Sequence, residues 1–179
     1  MANCNHIVPF ILRSEGGWSN TPGDAGGETN KGITYTTWQQ FFGATHDRFM
    51  EMTSADWTVI FKKNYWDQVL GDQINSQRIS DFSCDWIFNC GKHFPEIEIQ
   101  EILVAAFGSH IGEDGDFGPA TIIALNAADE PTLWNDIVAK RISYYKNLAA
   151  THPNDEEFLN GWENRVKNLQ TFEATGELV

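Results

Sequence analysis

The sequence predicts a mainly α protein with a small β-hairpin after the first helix and a helical C-terminal half. Three observations carry this. Apolar residues recur at three- and four-residue spacing through most of the chain, the period of a half-buried helix. Six of the 15 glycines fall in residues 16–32, where the backbone must turn tightly. Strand-like stretches are confined to short runs around Trp18 and Ile33-Thr34-Tyr35.

The elements follow in order. Residues 5–15 place Val8, Ile11, Leu12 and Glu15 on one face of a helix that ends at Gly16. Beyond the glycine-rich stretch, Thr53-Ser54-Ala55-Asp56 offers an N-cap for a helix running through Trp66. Residues 76–90 read as a strongly apolar central helix with Ile79, Phe82, Trp86 and Cys90 along one stripe. Another helix covers 95–107 and stops at Gly108. Gly112 to Gly118 reads as a turn, with Pro119 opening the next helix. An EF-hand there would need a glutamate at its twelfth position, where Leu125 stands. Trp134, Val138, Ile142, Tyr145 and Ala149 form one further stripe. Phe158, Trp162, Val166 and Leu169 form the last, read as core, with Arg165 a structural ion-pair member.

Composition narrows the function. Lys plus Arg number 12 and Asp plus Glu 25, a net charge of −13. That balance argues against nucleic acid, which is bound through phosphate neutralisation. No apolar run approaches the ~20 residues of a membrane span, so stable membrane insertion is not expected. Aromatics at 13% and hydrophobics at 41% suffice for a real core. The opening residues lack a secretory signal, so synthesis in the cytoplasm is expected, with another route to any outside target. Cys4, Cys84 and Cys90 read as free buried thiols. Together with His6 and His93 they match no zinc spacing, so neither metal nor cofactor is expected. A charge shift near residue 91, with 6 basic and 10 acidic residues before it and 6 and 15 after, divides the chain into 1–92 and 93–179. No flexible linker separates them, so one compact body is expected.

The sharpest chemistry begins at Glu15. Its place on the apolar stripe desolvates the carboxyl, and the C-terminal end of the helix dipole disfavours its charge. Both raise its pKa, as a general acid requires. Asp24 follows nine residues later across the glycine-rich turn. Folded back, it would make the pair of carboxyls that flank a scissile glycosidic bond. Thr29 and Asn30 offer a hydroxyl and an amide to position water. Trp18 and Tyr35 offer aromatic faces for sugar rings.

The run Glu15-Gly16-Gly17-Trp18 followed by Asp24-Ala25-Gly26-Gly27-Glu28-Thr29-Asn30-Lys31-Gly32-Ile33-Thr34 resembles the opening signature of glycoside hydrolase family 108. Asn64-Tyr65-Trp66-Asp67, Gly71-Asp72-Gln73-Ile74, Asp85, Asn89, Cys90-Gly91 and Gln100 resemble the family's later elements. Asp114 to Thr121, Arg141, Tyr144-Tyr145 and Phe158 to Val166 resemble its C-terminal predicted peptidoglycan-binding region.

The resemblance implies a lysozyme-like α+β fold, with a catalytic region over 1–92 and a peptidoglycan-binding region over 93–179. It implies a phage-endolysin or secretion-activator type muramidase. Such an enzyme cleaves the β-1,4 bond between N-acetylmuramic acid and N-acetylglucosamine. Glu15 matches the family's proposed catalytic acid. Asp24, Thr29 and Asn30 fall where phage-type lysozymes carry a second carboxylate and a water-positioning residue. Those lysozymes have a threonine fifteen residues after the acid, and here Asn30 stands there with Thr29 one residue early. Trp18, Thr34, Tyr35, Asp85 and Asn89 are the expected substrate contacts. A lytic transglycosylase, or a non-catalytic wall-binding secretion accessory, stays open beside the hydrolase. The expected partners are peptidoglycan and a holin-like export protein, with release holin-dependent or otherwise non-classical. A monomer is expected.

Overall fold

The computed structural model describes residues 1–20, 27–43 and 45–178. The chain enters through a short 3-10 turn, Cys4–His6, capped by the Asn3 side chain, which accepts from the Asn5 N–H. Helix α1, Val8–Ser14, follows directly, with Pro9 in its first turn, where a missing N–H costs nothing. The predicted single helix over 5–15 is therefore a 3-10 turn joined to an α-helix. Ile7, Val8, Phe10 and Ile11 face the core.

The β structure exceeds the predicted hairpin by one strand. β1 (Trp18–Ser19), β2 (Thr29–Asn30) and β3 (Ile33–Thr34) form an antiparallel sheet in the order β1-β2-β3. The turn from β2 to β3 is built by Lys31 and Gly32, both with positive φ. Two-residue strands carry almost no alternation, which is why pattern reading sees only part of them.

Thr34 then caps α2 (Tyr35–Phe42), accepting a hydrogen bond from the Thr37 N–H. Helix α3 spans His46–Met50. Helix α4, Ser54–Phe61, starts with the predicted Thr53 cap, made reciprocal by Asp56. It continues to Trp66 as a π-helical turn, Lys62–Trp66. After it, Gly71 lies so close to the buried Trp66 indole that an added Cβ would stand 2.4 Å from the ring. The indole N–H donates to Asp72 at 2.7 Å. This close backbone approach explains why glycine stands before Asp72-Gln73.

Helix α5 (Gln77–Cys90) is the central element, buried continuously from Ile79 to Ile87. A helix covered on all sides needs neighbours all round. It touches the N-terminal turn, the π turn, α6 (His93–Phe107) and α8 (Glu130–Thr151). Its core contains two acids four residues apart, Asp81 and Asp85, both fully buried. Helix α7, Pro119–Ala127, begins at the predicted proline. Helix α9, Leu159–Thr175, closes the fold by packing on α8 and α1. No described helix is long and apolar enough to cross a membrane.

Two readings change in the C-terminal half. Phe158, expected in the core, is half exposed. The loop before α7 is organised by Gln100 on α6, whose amide donates to the Asp114 carboxylate at 2.9 Å and accepts from the Gly115 N–H at 2.8 Å. Nearby Glu96 is fully buried, and that burial pushes its carboxyl up to about 8, against the pull of Lys92. A carboxyl raised in the native state stabilises below its unfolded pKa and loses that contribution as pH rises through about 8. Glu96→Gln is therefore expected to flatten the fall in Tm between pH 5 and 9. The variant should melt above wild type at pH 9, a comparison calorimetry makes directly.

Candidate active site

Glu15 caps the C-terminus of α1, its backbone N–H bonded to the Ile11 carbonyl. The side chain is about one-fifth exposed. Burial raises its pKa above the ordinary glutamate range; Arg165 opposes that shift and Asp85 adds to it. The desolvation read from the apolar stripe is thus present. The opposing charge comes from α9, 150 residues away in sequence.

Arg165 is the residue sequence reasoning missed in this role. Its Nη1 stands 3.7 Å from Glu15 Oε1, while its Nη2 and Nε hold Asp85 Oδ1 at 2.8 and 3.1 Å. Asp85 Oδ2 accepts from Arg141 Nη2 at 2.7 Å. Arg141 is itself fully buried among Phe82, Trp86 and Tyr145. The two guanidinia hold the Asp85 carboxyl below the usual aspartate range despite its burial. The expectation that Asp85 contacts substrate is corrected here. It has no exposed surface, and both its oxygens are occupied. It aims Arg165 and so acts on Glu15 from behind. Arg165 is the ion-pair member its sequence context suggests, and its partners, Glu15 and Asp85, are ones the sequence does not reveal.

On its other side Glu15 meets the sheet. A Cβ on Gly32 would stand 2.6 Å from Glu15 Oε2 and 3.4 Å from the Phe88 ring, and Gly32 has φ of +77°. Glycine alone fits both the backbone and the carboxylate. Tyr65, on the π turn, packs edge-on against Phe88 with centroids 4.7 Å apart; burial raises its hydroxyl's pKa, and the Glu15 charge adds to that. Asn64-Tyr65-Trp66-Asp67 resembles a family element, and the π turn brings its tyrosine near the acid. Gly32→Ala is expected to cost about 1–2 kcal/mol from the left-handed backbone. It should also lower turnover ~10–100-fold by displacing the carboxylate. Paired melting and activity assays would check both.

The remaining expected site residues divide. Trp18 is half exposed, its indole N–H donating to Glu28, which also holds His46 at 2.7 Å. Asn30 is buried, and its amide donates to the carbonyls of Phe49 at 2.8 Å and Met50 at 3.4 Å. It ties the sheet to α3, so the reading of Asn30 as a water-positioning group is corrected: its amide is committed to the protein interior. Thr29, its neighbour, pairs with Ser19 and Thr34 and is half-buried. The Thr34 hydroxyl is engaged with Thr37 at the α2 cap. Tyr35 packs on Phe49 and His46, with centroids 5.2 and 5.4 Å apart. Asp24 lies outside the described residues.

Asn89 is exposed and accepts from the Tyr145 hydroxyl at 3.0 Å, which in turn accepts from Arg141 Nε at 3.1 Å. Beside it runs an open groove of about 290 Å³ bordered by Ser14, Asn89, Trp162, Asn164, Arg165 and Asn168. Ser14 and Arg165 place this groove next to Glu15. Its amides and one indole are the donor, acceptor and stacking groups that sugars take. Trp162, expected in the core, is only half-buried; it stacks on Tyr145 with centroids 5.2 Å apart and lines the groove.

Comparisons with known proteins bear on the family and the fold. The family model described as Glycosyl hydrolase 108 matches residues 8–91. The one described as Predicted Peptidoglycan domain matches residues 96–167. No curated protein matches the sequence. Among solved structures, that of Brucella abortus SagA is similar, with a TM-score of 0.73 at 23% identity, covering 96% of this chain and 93% of that one. That likeness shows the fold. Residues 8–91 thus belong to the glycosyl hydrolase 108 family, and residues 96–167 carry the predicted peptidoglycan domain.

Proposed function

We propose that the protein is an N-acetylmuramidase that cleaves the β-1,4 bond between N-acetylmuramic acid and N-acetylglucosamine in peptidoglycan. The observation that carries the reading is the Glu15 carboxyl. It is partly desolvated with its pKa raised, backed by an Asp85-held arginine, and it adjoins a groove lined by amides and an indole. Protonated Glu15 donates its proton to the glycosidic oxygen as the bond to the sugar's anomeric carbon breaks. Positive charge builds on that sugar, and water completes the hydrolysis. Asp24 is the second carboxyl of the proposal, stabilising that charge or activating the water. Thr29 is the residue left to orient water once Asn30 is committed to the α3 carbonyls.

Arg165 holds Glu15 in place and takes up the negative charge left after proton transfer. Trp18, with its indole edge pinned by Glu28 and its side chain half exposed, is the proposed sugar platform on the sheet side. Asn89 is the proposed contact on the other side. Thr34 and Tyr35 shape the cleft wall through their contacts with Thr37, Phe49 and His46. The net charge of −13 gives no bulk attraction to an anionic wall, so binding rests on stacking and hydrogen bonds. The proposal includes a monomer made in the cytoplasm that reaches the wall with a holin-like partner.

Mass spectrometry of the soluble products from purified sacculi tests the reaction. Reducing N-acetylmuramic acid ends are expected. Anhydro ends would make the enzyme a lytic transglycosylase. Sacculus binding without products would leave a wall-binding accessory protein.

A further inference from the structure

The far end of the same helix junction holds a second polar cluster that the proposed mechanism does not use. His6, from the N-terminal turn, sets its Nδ1 2.5 Å from Asp81 Oδ2 on α5 and 3.9 Å from Glu173 Oε1 on α9. The ligand atoms of all three lie within 4.8 Å of one another. Asp81 is fully buried and the Glu173 side chain is only 5% exposed, whereas that of His6 is 42% exposed. Gln77 donates to the other Asp81 oxygen at 2.8 Å. Glu173 Oε1 is buried and has no hydrogen-bond partner among the described residues. Arg78, a cation on the same stretch of α5, is taken by Glu130. Two carboxylates thus face one imidazole, with one buried oxygen left over.

We propose that His6, Asp81 and Glu173 form a divalent transition-metal site of the zinc type. Mixed imidazole and carboxylate donors suit Zn²⁺ and its neighbours. A dication would match the charge of the two carboxylates, whose burial as anions is otherwise costly. Tetrahedral coordination at ~2.0–2.1 Å sets ligand atoms about 3.3 Å apart. The 2.5 Å contact must therefore open and the 3.9 Å gap must close, each by less than 1 Å. On binding, the protons of the cluster leave to solvent: the one between His6 and Asp81, and the one that burial and the neighbouring Asp81 favour on the Glu173 carboxyl. The exposed side of His6 leaves the fourth position to water. No local motif reveals such a site, because its members stand 75 and 92 residues apart in sequence.

Bound metal would tie the first turn to the central and last helices. Its effect is a clamp on the fold, distinct from the chemistry at Glu15. The test uses the full chain freed of metal by chelation and titrated calorimetrically with Zn²⁺, then with Co²⁺ followed by visible absorption. One ion per chain is expected, with the absorption of low-coordinate Co²⁺. Tm should rise by roughly 5–10 °C at a hundredfold excess over Kd. His6→Ala and Glu173→Gln, at opposite ends of the chain, should each weaken binding at least tenfold, with wild-type circular dichroism showing that each is folded. Absence of stoichiometric binding would overturn the proposal. So would an affinity within threefold of wild type in either folded variant.

Discussion

Glu15→Gln is expected to lower sacculus hydrolysis by about two to four orders of magnitude, the contribution typical of a positioned general acid. The fold should survive. Glutamine keeps the shape of the side chain and removes a charge that burial already disfavours. The variant should therefore melt within ~1 kcal/mol of wild type and still bind sacculi through the groove and Trp18. Retained turnover would remove Glu15 from the chemistry, whatever the family. The loss must be read against binding, because only a fall in kcat with KM nearly unchanged marks a group acting on the transition state.

Asp85→Asn is expected to produce the largest loss of stability. It removes the counter-charge of Arg141, which is fully buried, and of most of Arg165. Breaking a buried pair from one side costs about 3–5 kcal/mol, because the stranded charge remains. In a chain of this size that is a fall in Tm of roughly 6–20 °C. There is also a functional signature. With Asp85 neutral, Arg165 is free to turn to Glu15, and the raising influence of Asp85 is gone. The Glu15 pKa should fall, and the alkaline limb of activity should move to lower pH. A mere loss of stability would not shift that limb, so pH profiles taken well below the variant's Tm separate the two roles.

Much of the architecture is legible because helical periodicity survives without knowledge of partners. The stripe Val8, Ile11, Leu12, Glu15 places the acid at a desolvated helix end. The Thr53 cap, Gly108 and Pro119 mark real boundaries. What stays hidden depends on long-range juxtaposition. Nothing near Glu15 in sequence announces Arg165, and nothing near Asp85 says that its carboxyl is spent on two guanidinia. A buried acid in a central helix and an acid facing a cleft look alike in one dimension.

Asn30 illustrates a different limit. In a two-residue strand one step of register decides which side chain faces inward. Thr29 and Asn30 are adjacent, and the structure turns the amide to the α3 carbonyls. The π turn at Lys62–Trp66 is a third case, since its extra residue per turn leaves no compositional mark, yet it brings Tyr65 to the acid.

The proposed reaction needs a Glu15 carboxyl that stays protonated above the ordinary glutamate range and gives up that proton to the leaving oxygen. Carbon-13 NMR titration of the Glu15 carboxyl, alongside the pH dependence of kcat/KM on purified sacculi, tests this most directly. The expected midpoint lies above the ~4.3 of an unperturbed glutamate, with activity lost as pH rises through that same midpoint. A carboxyl that titrates at or below the ordinary value, or activity that persists well above its midpoint, would contradict it.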